Sequence, residues 1–243
     1  INLLMSVSAL EIIRGGKIAG ICLEAQLPKI MGGVGGKAPE VGVILLREDR
    51  LLSFRIRSSD RKGLNFIFLN DKLAFDSKWD KAIFRGVASQ QHRKRFMAAF
   101  FGNPLVDCGD TGKGSDRPKE WHAPLITLYD HLKYKFVISL EGNDVASNLK
   151  WVMSSNSIAI MPRPKYESWF MEGRLQGGVH YIEIKDDYSD LEEKIRYYST
   201  HPEEAKAIIR NAQAFVDQFR DKEREELISL LVLEKYFRHT RQN

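Results

Sequence analysis

Lys135-Phe136-Val137-Ile138-Ser139-Leu140-Glu141-Gly142-Asn143-Asp144-Val145-Ala146-Ser147-Asn148-Leu149-Lys150-Trp151 is the stretch on which the reading of this chain turns. An apolar run that ends in a Gly/Asn turn and passes at once into helix-compatible residues reads as a strand, a tight loop and a helix N-terminus. Such a unit gathers backbone N–H groups that lack intrahelical acceptors, so a phosphate or pyrophosphate fits there. Many α/β proteins use the same unit for packing alone, and local pattern does not separate the two uses.

On the C-terminal side, residues 147–154 continue as the helix, and Ser157-Ile158-Ala159-Ile160-Met161 reads as the next strand, stopped by Pro162 and Pro164. Tyr166–Met171 is rich in aromatics and reads either as a ligand-facing segment or as core. His180–Ile184 is a short strand. Ser189-Asp190-Leu191-Glu192-Glu193 reads as an N-cap and acidic first turn of a helix through Tyr198. Pro202 opens the following helix, to about Phe219, and a last helix is expected over 221–238, with Leu227, Leu230, Leu231 and Leu233 as packing material.

On the N-terminal side, Leu125–Tyr134 is expected to be helical, Gly109–Lys119 a polar loop able to close over a ligand, and Leu105–Cys108 a short strand. Gln91–Phe101 places His92, Arg93, Lys94 and Arg95 ahead of Phe96, Met97, Phe100 and Phe101, the pattern of a basic-fronted helix. Trp79–Phe84 and Leu64–Leu69 read as strands, and Arg50–Lys62 as a basic, solvated run. Val43–Leu46 and Ile18–Leu23 read as strands, while Leu3–Ile13 is open between helix and buried strand. The glycine-rich segment Gly32–Gly42 lacks the Lys-Ser/Thr ending of a phosphate-binding P-loop and reads as a linker. Strands alternating with helices point to α/β layers rather than a bundle or a sandwich.

The chain of 243 residues is 43% hydrophobic and 28% charged, which suits a globular protein with a substantial core. A net charge of +5 favours an anionic partner without choosing between nucleotide, membrane surface, acidic glycan and nucleic acid. The two cysteines, Cys22 and Cys108, lack a paired metal-ligand spacing and fit a reducing compartment. No apolar run is long enough to cross a bilayer, and no signal-like basic head precedes the first apolar residues, so a cytoplasmic location is expected.

The residues with phosphate chemistry are Arg85, Arg93, Lys150 and the loop around Gly142. Guanidinium groups present a rigid fork of donors to phosphate oxygens, whereas Lys150 offers a flexible point charge. Asp107 is suited to accept from a ribose or base. These residues alone leave a nucleotide-sugar enzyme and a nucleotide-binding module both open.

Phe84-Arg85-Gly86 with Arg93 downstream, Leu105-Val106-Asp107, Lys133–Trp151, Ser155-Asn156-Ser157, Glu167-Ser168-Trp169-Phe170, His180-Tyr181-Ile182 and Asp187–Leu191 occur in an order that resembles the CAP10-like glycosyltransferases, family 90. That family includes protein O-glucosyltransferases and bacterial lipopolysaccharide core enzymes, and the resemblance spans about residues 60–238. It implies a GT-B-like α/β fold of two Rossmann-like lobes. An N-terminal acceptor-side lobe, shortened or incomplete, would occupy 1–60, the nucleotide-sugar-binding lobe 61–220, and a C-terminal helix packing across the lobes 221–243.

The resemblance further implies inverting transfer from a nucleotide-sugar, expected to be a UDP-sugar, to a hydroxyl of a surface glycan or lipid-linked saccharide. No metal and no other cofactor is implied, and no nucleic acid; peripheral contact with the cytosolic face of a membrane is allowed for by the basic patches. Arg85, Arg93, Gly142, Asn143, Ser147, Asn148 and Lys150 are the residues implied for the donor diphosphate, and Gly86, Asp107, Asp144 and Glu167 for the nucleoside or sugar. Eukaryotic relatives often carry arginine where Asn148 stands. The catalytic base would be a carboxylate of the N-terminal lobe, where Glu11, Glu24, Glu40 and Asp49 are available and none is assigned. The alternative is a nucleotide- or glycan-binding protein of the same fold without catalysis.

Overall fold

The computed structural model describes the backbone of residues 7–14, 17–25, 40–47 and 50–57, residues 68–114 and 116–221 in full, and isolated positions beyond. The chain divides into two compact units: Ile1–Gly63 with Tyr166–Glu172 and Gln218–Asn243, and Leu64–Lys165 with Gly173–Asp217.

In the first unit, strands β1 (Val7–Arg14) and β2 (Lys17–Ala25) pair antiparallel, as do β3 (Glu40–Arg47) and β4 (Arg50–Arg57). Two expectations are settled here. The opening apolar stretch is a strand from Val7 onward rather than a helix, and the basic run beginning at Arg50 is a strand over its first eight residues. Leu51, Leu52, Phe54 and Ile56 interleave with the arginines there, and strand pairing with β3 overrides the charge pattern. In the same unit Phe170 is fully buried and stacks on Phe219 with centroids 5.1 Å apart, while Trp169 meets Phe219 edge-on at 5.3 Å. Phe170 of the 166–171 segment is therefore core, with Tyr166 and Trp169 half-buried beside it in sequence. The glycine-rich segment before Glu40, most of the expected 64–69 strand and most of the final helix lie outside the described residues.

The second unit is built on a five-stranded parallel sheet, β5 (Trp79–Gly86), β6 (Val106–Asp110), β7 (Tyr134–Ile138), β8 (Ile158–Pro162) and β9 (Ile182–Ile184), in the spatial order β6-β5-β7-β8-β9. Strand runs of Val, Ile and Phe with both neighbouring faces apolar are what a sheet covered on both sides requires. Ala82, Phe84, Cys108, Phe136, Ile138, Ile158, Ile160 and Ile182 belong to one core cluster. The cluster also holds Phe96, Met97 and Phe100 of helix α1 (Gln91–Phe100), Leu191 and Ile195 of a later helix (Leu191–Thr200), and Ile208 and Ile209 of the helix Pro202–Asp217. Phe96 is its aromatic hub, with Phe84, Phe100 and Tyr188 at centroid distances of 5.3, 5.2 and 5.4 Å. Ile83, Val137 and Ala159, which alternate with those strand residues, are buried as well.

Three local expectations are corrected. The helix expected over Leu125–Tyr134 is only α2 (Leu128–His131), because Thr127 and Asp130 form a reciprocal capping box that starts the helix late and Tyr134 is drawn into the sheet opposite Trp79. The helix after the Gly142 loop is α3 (Leu149–Met153), a single turn and a half. The helix Leu191–Thr200, here α4, keeps its acidic first turn, but its N-cap is Asp190, which accepts from the Lys185 N–H instead of capping the helix. Helix α5 (Pro202–Asp217) begins at its proline, as expected.

Candidate functional site

The chain leaves β5 through α1 to β6 on one side of it and then crosses to β7 on the other, so the connections reverse direction at β5. In open parallel sheets the crevice outside the carboxyl ends of the strands at such a reversal is where ligands bind. Here that crevice is bounded by Gly86–Gln90, the start of α1 and the loop after β7.

Arg93 closes it. Its Nε donates to the Glu141 carbonyl at 2.9 Å, Nη2 to the Leu140 carbonyl at 2.7 Å, and Nη1 to the Val87 carbonyl at 2.9 Å, joining the ends of β5 and β7. His92 Nε2 donates to the same Glu141 carbonyl at 2.7 Å, and Gln90 Nε2 donates to Asn143 Oδ1 at 3.0 Å. The loop lies against the guanidinium at Gly142, where a Cβ would stand 3.4 Å from Arg93 Nη2, at ordinary contact distance. Burial pulls the Arg93 guanidinium below its ordinary pKa, opposed by Tyr188 and Asp144. Helix α1 starts without a side-chain cap at Gln90 and has no acid in its first turn, where His92 and Arg93 stand instead. This reverses the usual preference for negative charge at a helix N-terminus, and an arriving anion would meet both the helix end and the cations.

Asp110, at the end of β6, fixes the other wall. One carboxylate oxygen accepts from Ala88 N–H at 3.0 Å and Gly112 N–H at 2.9 Å, and the second accepts from Arg117 Nε. Burial raises its pKa, but these donors outweigh it and hold the carboxyl below the usual range. Neither Asp110 nor Arg117 stood out in the sequence. The available signal was an aspartate closing a strand just before Thr111-Gly112, a position suited to accept loop N–H groups.

The remaining sequence candidates fall in several places. Gly142 and Asn143 meet Arg93 and Gln90 in the crevice, and exposed Asp144 accepts the Gly142 N–H through its carbonyl at 2.9 Å. Asn148 Nδ2 donates to the Ile138 carbonyl at 3.0 Å and so anchors the loop to β7. Lys150 is buried in α3 and Ser147 is exposed. Glu167 belongs to the first unit.

Gly86 shares the crevice rim, but the Arg85 guanidinium turns away to Asp107. Its Nη2 donates to Asp107 Oδ1 at 2.7 Å and its Nη1 to the Asp107 carbonyl at 3.0 Å, while the Tyr134 hydroxyl donates to Asp107 Oδ2. Burial pushes the Asp107 carboxyl up, and the Tyr134 and Arg85 bonds outweigh it and bring it below the ordinary range. Burial, with the bond to Asp107, raises the Tyr134 phenol. Asp107 and Tyr134 line a separate open cleft of about 630 Å³ with Lys78, Trp79, Asp80 and Lys81. Trp79 begins β5 and Gly86 ends it, so at the rise of an extended strand the two ends are about 23 Å apart.

Among the described residues no group of three His, Cys, Asp or Glu side chains is placed to hold a metal ion, and no helix is long and apolar enough to cross a membrane.

Comparison with known proteins bears on what such a crevice serves. The chain is 47% identical over 173 residues to the O-glucosyltransferase LpsA of Dichelobacter nodosus, an alignment covering 71% of this chain and 54% of that protein. It is 33% identical over 142 residues to protein O-glucosyltransferase 3 of Rattus norvegicus, covering 56% of this chain and 28% of the relative. With protein O-glucosyltransferase 3 of Homo sapiens it shares 31% over 165 residues, 66% of this chain and 32% of the relative. The chain thus spans about half the bacterial relative and about a third of the mammalian ones. The profile of glycosyl transferase family 90 matches residues 56–236, a stretch that includes the whole parallel sheet and both walls of the crevice. This chain belongs to glycosyl transferase family 90.

Proposed function

We propose that the crevice at the carboxyl ends of β5 and β7 binds the diphosphate of a nucleotide-sugar, a UDP-sugar by preference, and that the protein transfers the sugar with inversion to a hydroxyl of a surface glycan or lipid-linked saccharide. The observation that carries this reading is the seat of Arg93. It spans the two strand ends at the uncapped N-terminus of α1, within a family whose matched relatives are named O-glucosyltransferases.

Three of the five guanidinium N–H donors of Arg93 are spent on carbonyls, and one on each terminal nitrogen is left for phosphate oxygens. The first N–H groups of α1, which have no intrahelical acceptor, supply further donors. As the bond from the anomeric carbon to the diphosphate breaks, negative charge grows on the leaving oxygen, and donors already fixed in place stabilise it without reorganising. Gly142, Asn143, Ser147, Asn148 and Lys150 complete the diphosphate side in this reading. Arg85 joins when its guanidinium exchanges Asp107 for the donor. Gly86, Asp107, Asp144 and Glu167 are proposed for the nucleoside or sugar, and a carboxylate of the N-terminal lobe of a GT-B arrangement for the base that deprotonates the acceptor hydroxyl. Leaving-group stabilisation by these cations makes the transfer independent of a metal ion.

The test is titration of the protein with UDP-, GDP-, ADP- and CMP-sugars in the presence of EDTA, followed by product analysis with the donor that binds. Selective UDP-sugar binding with turnover supports the reading. Selective binding with no transfer or hydrolysis supports instead a nucleotide-binding member of the family without catalysis.

A further inference from the structure

Trp79 is a large hydrophobic residue left 53% exposed at the mouth of the cleft opposite the strand ends that form the proposed donor crevice. Its indole is not loose. It meets the Tyr134 ring edge-on with centroids 4.9 Å apart, and Tyr134 is itself held through its hydroxyl by Asp107. The floor beside it is equally fixed, since the Lys78 ammonium is wholly buried and donates to Asp71 at 2.8 Å and to the Leu132 carbonyl. The result is a rigid aromatic platform open to solvent, ringed by Lys81, Asp80 and Asp107.

The charges around the platform select the class of ligand. Lys78 and Lys81 are balanced by Asp80 and Asp107, and three of the four are already neutralised locally: Lys78 by Asp71, Asp80 by Lys135, and Asp107 by Arg85. A phosphate would lack an uncommitted pair of cations, and an organic cation would lack an uncommitted carboxylate. A neutral polyhydroxylated ring suits the cleft on every count. Its C–H face covers the indole, which is apolar and polarisable, while its hydroxyls both donate to carboxylate oxygens that keep lone pairs free and accept from Lys81. A volume of about 630 Å³ is in the range of small-molecule sites.

We propose that the Trp79 cleft is a saccharide-binding subsite for neutral glycan, whose Trp79 end lies about a strand's length from the donor crevice and whose Asp107 side borders it. It gives the protein a second hold on an oligosaccharide chain, and it is occupied whether or not a nucleotide-sugar is bound.

The experiment uses the whole chain and neutral oligosaccharides, namely maltotriose, cellotriose and lactose, followed by tryptophan fluorescence and by saturation-transfer NMR. Wild type is expected to bind at least one of them, with Trp79→Ala weakening that binding at least tenfold and Trp79→Tyr retaining most of it. Lys81→Ala, on an exposed side chain, is expected to weaken it about threefold, and all three variants to keep the wild-type melting temperature and UDP-sugar affinity. If Trp79→Ala does not fold, Lys81→Ala and the NMR footprint on wild type decide the matter. Failure of all three sugars to bind wild type, or equal affinity in the variants, overturns the subsite. UDP-sugar titration reads the donor crevice independently, so the two assignments fail separately.

Discussion

Arg93 Nη2 donates to the Leu140 carbonyl at 2.7 Å while Nη1 of the same guanidinium donates to Val87 at 2.9 Å, so one side chain from α1 sets the width of the crevice between β5 and β7. Removing it deprives the Val87 and Leu140 carbonyls of this side-chain donor, leaves the Glu141 carbonyl to His92, and removes the cation at the helix end.

Arg93→Ala is therefore expected to lower both stability and donor affinity. Charge-assisted hydrogen bonds contribute about 1.5–3 kcal/mol each, and loss of one anion contact corresponds to about tenfold or more in binding. Arg93→Lys should not restore either property, since an ammonium is a single point and cannot reach Val87, Leu140 and Glu141 together. Thermal melts and calorimetric titration with UDP-sugar read the two effects, and full rescue by lysine would contradict the clamp.

Asp110 and Arg117 form a buried pair, with side chains 5% and 6% exposed, and Asp110 also holds the loop at Ala88 and Gly112. Asp110→Ala leaves two unsatisfied N–H groups and an Arg117 guanidinium whose one remaining partner is the exposed Asp116, 2.8 Å from Nη1, which costs about 3 kcal/mol in denaturant unfolding. Adding Arg117→Leu should recover part of that loss, because it removes a guanidinium that has lost its buried partner. A double variant no more stable than the single one would show that the lost N–H partners, and not the guanidinium, cause the destabilisation.

Gly109→Ala tests the packing behind the crevice. The new methyl would sit 2.3 Å from the Ala123 Cβ, an atom without rotamer freedom, so a destabilisation of about 1–3 kcal/mol is expected. Ala123→Gly in the same chain should relieve most of it, as read from melting temperatures.

Burial lowers the pKa of both His131 and His180 from an ordinary value of 6.5. His180 Nδ1 accepts from the Gln176 N–H at 3.1 Å, a bond that the neutral ring makes and a protonated nitrogen cannot. The unfolded chain takes up these protons first as pH falls, so the stabilisation is fully present above about pH 6.5 and is lost as pH drops below it toward the folded values. Urea midpoints should decline between pH 7 and pH 5.5, and His131→Gln with His180→Gln should flatten the decline. An unchanged slope in the double variant would contradict neutral histidines in the fold.

The parallel sheet was legible where a strand is a short apolar run that ends at or just before a turn residue, as at 134–138 ahead of the Gly142 loop and at 158–162 ending on Pro162. Its boundaries were not legible where a neighbour in space decides them: Tyr134 continues the helical pattern of 125–134 until it pairs with Trp79. The site divides the same way. Arg85, Arg93, Gly142 and Asp107 stand out by residue type, yet their partners are largely backbone carbonyls and cross-strand groups that no sequence pattern displays. Alternation along β6 puts Asp107 on the face opposite Val106 and Cys108, which is why it meets Tyr134 and lines the Trp79 cleft. Asp110 was hidden for a similar reason, because its work is to accept from Ala88, 22 residues away.

The most direct measurement is the calorimetric affinity of wild type and Arg93→Ala for a UDP-sugar with EDTA present. Metal-independent binding by wild type and at least a tenfold loss in the variant are expected. Equal affinity in the two proteins, or no binding of any nucleotide-sugar by wild type, would contradict the proposed donor crevice.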